Sequence, residues 1–364
     1  MTKTAVLSLV LVLSLVLGTA AFAADDIAGT ANTYFTAGVK AITADKLYDN
    51  LNDGDTSNDP FIVDVRSAED NAKGWIPGAT WMDAKTLFTA ENLAKLPTDK
   101  DIVVYCYTGQ TASQITSVLN LMGYKASNLQ FGFGSWTNDP AAGSKTFSET
   151  TGADYPVQTE ANVPTTTFTA PTPLGATFQE AANAYFSAGL KTIKAVDLYD
   201  NLNDGDTSND PFILSVRAPE DYAKGHIPGA VNVPLANVFN PGNLALLPSD
   251  KPIVVYCYTG QTGSQVTSVL NLLGYNASNL VFGMEGWTKD LAVRNKYYDP
   301  TKNTFNYPYM TAAGLTTPAA VATPAAPATV PVTGGAAFPV QGLLLGLGAL
   351  ATAAGLVLRR RKAA

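Results

Sequence analysis

The sequence predicts an α/β protein in which one domain is written twice. Two observations carry this. First, long stretches recur 151 residues apart: residues 49–61 and 200–212 both read DNLNDGDTSNDPF, and residues 102–111 and 253–262 both read IVVYCYTGQT. A period that long marks a duplicated domain, because solenoid repeats run about 20–50 residues. Second, each copy alternates short, continuously apolar runs with stretches of helical period. Strands buried on both faces read as unbroken apolar runs, and strands alternating with helices build a mainly parallel sheet covered on both sides.

The elements follow in order. Residues 34–41 and 44–51 are expected to be helical. Residues 61–65 form a short apolar run before the polar SAEDNAKG segment, and residues 102–105 form a second one, closed by the turn-like TGQ. Residues 111–122 then place Ile115, Val118, Leu119 and Met122 on one helical face. Copy two repeats that face as Val266, Val269, Leu270 and Leu273. The domains are expected at 25–148 and 177–313, joined by a Thr/Pro-rich linker at 149–176.

Composition narrows the function. The chain has 364 residues and 38.2 kDa, 46% hydrophobic and 15% charged, against roughly 25% charged in an average soluble domain. Net charge is −7. Five basic residues (Lys3, Arg359, Arg360, Arg361 and Lys362) sit at the extreme ends, leaving 18 of the 23 against 30 acidic residues. A nucleic-acid partner, which needs a basic face, is not expected. Two cysteines and one histidine exclude a four-ligand Cys/His zinc site and any disulfide framework. No cofactor is expected.

The ends read as addresses. Lys3 precedes an apolar run at 5–17, and Ala21-Phe22-Ala23 supplies a small-residue cleavage site, so residues 1–23 read as a secretory signal peptide. That run is too short for a span, which needs about 20 residues. Residues 314–335 are a Pro/Ala/Thr-rich stalk, residues 336–358 an uncharged segment long enough to cross a bilayer, and residues 359–364 a basic tail expected in the cytoplasm. Within the stalk, Val330, Pro331, Val332, Thr333 and Gly334 resemble the LPxTG signal of sortase substrates, with Val330 where that signal has Leu. The resemblance implies cleavage between Thr333 and Gly334 and attachment to the cell wall. The alternative is a plain membrane anchor. Both put the body outside the cytoplasm, on the cell surface.

Chemistry concentrates at the cysteines. Cys106 and Cys257 each end an apolar strand, where ligands bind in open α/β sheets. Each opens a loop that feeds a helix: Tyr107, Thr108, Gly109, Gln110 and Thr111 in copy one, and Tyr258, Thr259, Gly260, Gln261 and Thr262 in copy two. A helix start aims free amides and partial positive charge at such a loop, which is expected to lower the thiol pKa. Gly109 and Gly260 let the backbone curl round the sulfur. The plain alternative is a small buried hydrophobe. Both cysteines of the chain occupy the same loop, which favours a functional role.

Here the sequence resembles the rhodanese family of sulfurtransferases. The matching residues in copy two are Val216-Arg217, Pro219-Glu220, the GHIPGA run at 225–230, the cysteine loop and GMEGW at 283–287. In copy one they are Asp64-Val65-Arg66, GWIPGA at 74–79, the cysteine loop and residues 132–136. The resemblance implies an open five-stranded parallel sheet per domain and a cysteine that carries sulfane sulfur as a persulfide. Its partners would be a small donor such as thiosulfate and a thiol or cyanide acceptor. Two-domain members usually keep the cysteine only in the second domain; here both copies keep it. Copy one has Trp75 where copy two has His226, and Asp64 where copy two has Ser215; these read as scaffold variations. The loops themselves carry no Arg or Lys to bind an anion.

Rival chemistries lack their residues. A Cys-x5-Arg phosphatase loop needs Arg where Ala112 and Gly263 stand, and a dithiol oxidoreductase needs a second cysteine. The DGDTSND loops at 53–59 and 204–210 have carboxylates suited to calcium, but Asp, Asn, Gly and Ser are also ordinary turn formers. The expected function is a surface-anchored sulfurtransferase of the thiosulfate:cyanide type; the alternative is a non-catalytic rhodanese-like surface module that binds a partner or a sulfur species.

Overall fold

In copy one, helix α1 (Asp26–Ala37) and strand β1 (Ala41–Ile42) lead into α2 (Ala44–Leu51), β2 (Phe61–Asp64), α3 (Ala68–Lys73), β3 (Thr80–Trp81), α4 (Ala90–Leu93), β4 (Asp101–Tyr105), α5 (Gln110–Leu121), β5 (Lys125–Leu129) and α6 (Phe133–Trp136). Copy two repeats the order: α7 (Phe178–Ala188), β6 (Thr192–Ile193), α8 (Ala195–Leu202), β7 (Phe212–Ser215), α9 (Pro219–Lys224), β8 (Val231–Asn232), α10 (Pro241–Leu244), β9 (Ile253–Tyr256), α11 (Gln261–Leu272), β10 (Ala277–Leu280) and α12 (Gly283–Trp287). This computed structural model describes residues 26–150 and 152–316. The signal segment at 1–23, the sorting-like motif at 330–334, the apolar segment at 336–358 and the basic tail lie outside the described residues. Among the described residues no helix is long and apolar enough to cross a membrane.

Each copy builds a five-stranded parallel sheet, ordered β1-β5-β4-β2-β3 and β6-β10-β9-β7-β8. The IVVY run explains the centre. β-branched residues suit a pleated strand, and Ile102, Val103, Val104 and Tyr105 are all buried because helices cover both faces. The expected helix over 34–41 is corrected: α1 runs 26–37 and stops where Gly38 takes φ 93°. Ala41 and Ile42 extend instead, pairing with Asn128 and Leu129.

The two copies dock about a pseudo-twofold axis through α5 and α11. Ser117 Oγ and Ser268 Oγ, equivalent residues, meet at 2.9 Å. Contacts away from the axis come in reciprocal pairs. Tyr34 donates to Gln265 Oε1 at 2.9 Å, and Tyr185 donates to Gln114 Oε1 at 2.7 Å. Phe35 packs on Phe239 with centroids 4.7 Å apart, and Phe88 on Phe186 at 4.5 Å. This is the signature of an isologous interface, in which i meets j and j meets i, here inside one chain. One apolar cluster runs through both copies.

The segments that follow each copy are exchanged. Residues 153–158, after copy one, pack on copy two: Tyr155 N donates to Trp287 O (2.9 Å), Trp287 Nε1 to Pro156 O (2.9 Å), and Gln158 N to His226 O (2.8 Å). Residues 307–310, after copy two, pack on copy one: Tyr307 N donates to Trp136 O (2.9 Å), Trp136 Nε1 to Pro308 O (2.9 Å), and Met310 N to Trp75 O (2.8 Å). Tyr155 stacks on Tyr199 at 4.0 Å and Tyr307 on Tyr48 at 3.9 Å. Each strap therefore packs on the copy that it does not directly follow in the chain. Tyr307→Ala is expected to lower hydrogen-exchange protection in β4 more than in β9, by about 1–3 kcal/mol from the lost ring packing on Tyr48 and Trp136. Loss confined to β9 would contradict the exchange.

Candidate active site

Cys106 and Cys257 follow the last residues of the central strands, Tyr105 and Tyr256, and are 3% and 1% exposed. Gly109 (φ 82°) and Gly260 (φ 80°) cap α5 and α11 in the left-handed region, which only glycine occupies cheaply. The turn aims the backbone amides of Ala112, Thr108, Gly109 and Thr111 at the Cys106 sulfur. They pull the thiol pKa down, but burial outweighs them and the thiol is pushed up. The expectation of a lowered thiol is thus corrected for Cys106: a helix start cannot offset full desolvation of the sulfur.

The closing motifs brace the loops. Phe133 N donates to Cys106 O (2.7 Å) and Gly134 N to Tyr107 O (3.0 Å); Met284 N donates to Cys257 O (3.0 Å) and Glu285 N to Tyr258 O (2.9 Å). Gly132 sits so close that a Cβ there would lie 2.5 Å from Cys106 O.

A charged rim surrounds each loop tyrosine. Tyr107 donates to Asp70 Oδ2 and Tyr258 to Asp221 Oδ2, both at 2.7 Å. Lys145 pairs with Asp70 at 2.7 Å, and Lys296 with Asp221 at 3.4 Å; each ammonium lies 4.1 Å from the centroid of its tyrosine ring. Lys73 and Lys224 complete the clusters. Hydrogen bonds from Lys145, Lys73 and Tyr107 hold Asp70 well below the usual carboxylate range. Burial works against Asp221, yet Lys224, Tyr258 and Asn295 hold it low as well. The loops contain no cation, but the fold brings cations to them. Lys145 and Lys296 escaped the sequence reading, although they are repeat equivalents and that offset was a usable signal.

The family profile described as "Rhodanese-like domain" matches residues 43–139 and 194–290, together more than half of the chain. The chain belongs to the rhodanese family. The two matched rhodanese segments take in both cysteine loops. Among curated relatives, thiosulfate sulfurtransferase PspE of Escherichia coli (strain K12) is 31% identical over 80 residues, 22% of this chain and 73% of that protein. A sulfurtransferase of Allochromatium vinosum is 29% identical over 83 residues, 22% of this chain and 76% of that one. YrkF of Bacillus subtilis (strain 168), described as a sulfur carrier protein, is 35% identical over 77 residues, 21% of this chain; the chain spans only 40% of its length.

The two rhodanese copies differ beneath their loops. In copy one, Arg66 forks onto Asp64, Nη2 to Oδ2 at 2.7 Å and Nε to Oδ1 at 3.1 Å, with both side chains fully buried. Tyr105 and Asn71 also donate to Asp64. In copy two Ser215 replaces the carboxylate, and the Nε of fully buried Arg217 has no partner. His226 stacks on Tyr222 at 3.7 Å, with its ring nitrogens on Tyr222 O and Glu160 O at 3.0 and 3.1 Å. Its ring is engaged with backbone carbonyls of the scaffold. The DGDTSND loops bond internally: Asp53 accepts from the Asp55 amide and Asp55 from the Ser57 amide. Among the described residues no group of three His, Cys, Asp or Glu is placed to hold a metal ion.

Between the two loops lies a crevice with about 10 Å³ of free space, room for one water, lined by Thr108, Thr259, Phe131, Phe282, Tyr298 and Glu285. Glu285 is 1% exposed and accepts from Tyr298 N at 2.8 Å. Burial pushes its carboxyl from 4.5 up to about 8; the Tyr298 amide and Arg294 act downward and Glu149 upward. Between those values the folded protein keeps a proton that the unfolded chain releases. Stability from this group is therefore full below about pH 4.5 and declines as pH climbs toward 8. Glu285→Gln is expected to flatten that decline, read as denaturation midpoints at pH 5 and pH 8. An unchanged slope would remove Glu285 as its source.

Proposed function

We propose that this rhodanese is a sulfurtransferase in which Cys106 and Cys257 each carry sulfane sulfur as a persulfide. The observation that carries the reading is the amide-ringed sulfur at the end of the central strand in copy one, with the same loop and left-handed cap repeated in copy two. A thiolate there attacks the outer sulfur of a donor such as thiosulfate. A new S–S bond forms and sulfite leaves with the electron pair of the broken one. Cyanide or a thiolate then takes the outer sulfur, and the cysteine thiolate is regenerated. The loop amides suit an anionic persulfide, and Lys145 and Lys296 suit an anionic donor. The relatives named as sulfurtransferases support the same class.

The test is a thiosulfate:cyanide assay on the full chain, with intact-mass detection of one added sulfur, about 32 Da, per loaded cysteine. Thiocyanate production with that mass increase is expected. The burial of both thiols favours a second reading, a non-catalytic module that binds a partner or a sulfur species; neither turnover nor loading would select it. We further infer an extracytoplasmic, cell-surface location, from the signal-like residues 1–23 and the sorting-like and apolar segments at 330–358. Mass spectrometry of envelope fractions tests it. Peptides from 334–358 on the mature protein indicate a retained membrane span, their loss with Thr333 joined to wall material indicates sortase cleavage, and an intact cytoplasmic precursor refutes both.

A further inference from the structure

We propose that Gln110 and Gln261 are positioning residues that act across the domain boundary, so that each cysteine's reactivity is set in part by the other copy's loop. Each opens the helix after its own cysteine loop, and each is more than nine-tenths buried. Gln261 Oε1 accepts from Asn128 Nδ2 (2.9 Å) and Phe131 N (3.1 Å), both in copy one, while its Nε2 donates to Thr259 Oγ1 of its own loop (3.3 Å). Gln110 mirrors it: Oε1 accepts from Asn279 Nδ2 and Phe282 N, both at 3.1 Å, and Nε2 donates to Thr108 Oγ1 at 3.1 Å. Each carboxamide ties its own loop to the turn that braces the opposite one.

That turn leads directly to the other sulfur. Phe131 is followed by Gly132, and the next amide, Phe133 N, holds Cys106 O at 2.7 Å. Phe131 and Phe282 take φ 60° and 62°, left-handed values that cost a bulky residue free energy unless the surroundings impose them. The amide bonded to the opposite glutamine belongs to that strained residue in both copies. The glutamines also press on the opposite caps: a Cβ on Gly109 would collide with the Gln261 carboxamide, and one on Gly260 with that of Gln110. Losing the Gln261 acceptor would leave Phe131 unheld and loosen the amide ring around Cys106. The Asp70, Lys73 and Lys145 rim would be untouched. The proposal deepens the sulfurtransferase reading by adding coupling between its two centres. It is tested on thiol reactivity, so it can fail or stand apart from turnover.

The experiment uses the full chain with Cys257→Ser, leaving Cys106 as its only thiol, and follows Cys106 alkylation by iodoacetamide against pH. Gln261→Met keeps the volume and removes the acceptor. It is expected to move the midpoint to higher pH and slow alkylation at pH 8 by about fivefold or more. Tyr185→Phe, which removes a different hydrogen bond across the same interface, is expected to leave the profile in place. The reciprocal pair, Cys106→Ser with Gln110→Met, is read at Cys257. An unchanged Cys106 profile in folded Gln261→Met, or an equal shift in Tyr185→Phe, overturns the proposal. A readout independent of any substitution is hydrogen exchange on the unaltered chain. The Phe131 and Phe282 amides are expected to be protected, and exchange at the rate of open loops would equally overturn it.

Discussion

Replacing both cysteines, Cys106→Ser with Cys257→Ser, is expected to reduce sulfur transfer by about 1000-fold or more, to the level of the uncatalysed reaction. The chain has no third cysteine, and a hydroxyl cannot form the S–S bond that stores sulfane sulfur. Each single variant should keep part of the rate, because each loop carries its own cysteine and the two loops are identical in sequence. The two parts need not be equal: Arg217 lies unneutralised beneath the Cys257 loop, whereas Arg66 in copy one is paired. Thiocyanate production, read with the mass of each loaded species, measures both effects. Undiminished turnover in the double variant would rule out cysteine chemistry and leave the fold as a scaffold for something else.

The largest stability effect is expected from Asp64→Ala. Removing one partner of a buried ion pair leaves an uncompensated charge, and such losses run about 3–5 kcal/mol. For a folded body of this size that corresponds to a fall in Tm of roughly 10 °C. Asp64 is fully buried and accepts from Arg66, Tyr105 and Asn71, so several donors are orphaned at once. Copy two supplies the internal comparison. Ser215→Asp offers Arg217 the partner that Arg66 already has, and is expected to be neutral or stabilising, since Arg217 Nε is unpartnered. Thermal unfolding of both variants decides. A change below about 1 kcal/mol in Asp64→Ala would mean that water or relaxation replaces the pair.

How much could be read in advance depended on where each element finds its partners. β2 and β4 are legible as unbroken apolar runs and α5 by its helical period, signals carried by neighbours a few residues apart. β5 and β10, reading KASNL and ASNL, carry no such period. Their buried asparagines, Asn128 and Asn279, are satisfied by glutamines of the other copy. α5 misleads in the same way. Its apolar face shows the helical period, but Gln114, Ser117 and their neighbours are buried too, because the polar face lies in the domain interface.

By itself the sequence determined a duplicated α/β unit, the strand-to-helix loop that holds each cysteine, and the family to which those loops point. Only the tertiary structure decided that the copies dock about a pseudo-twofold axis, exchange straps, bring Lys145 and Lys296 to the loop tyrosines, and cross their glutamines beneath the opposite caps. It also decided the protonation tendency of Cys106, where burial overcomes the helix start. The physical reason is range. A strand, a helix or a tight turn is encoded by neighbours a few residues apart, and leaves a period or a glycine in the sequence. Contacts between residues more than a hundred positions apart leave no local pattern. They take their energy from desolvation and paired hydrogen bonds that exist only once both surfaces have formed.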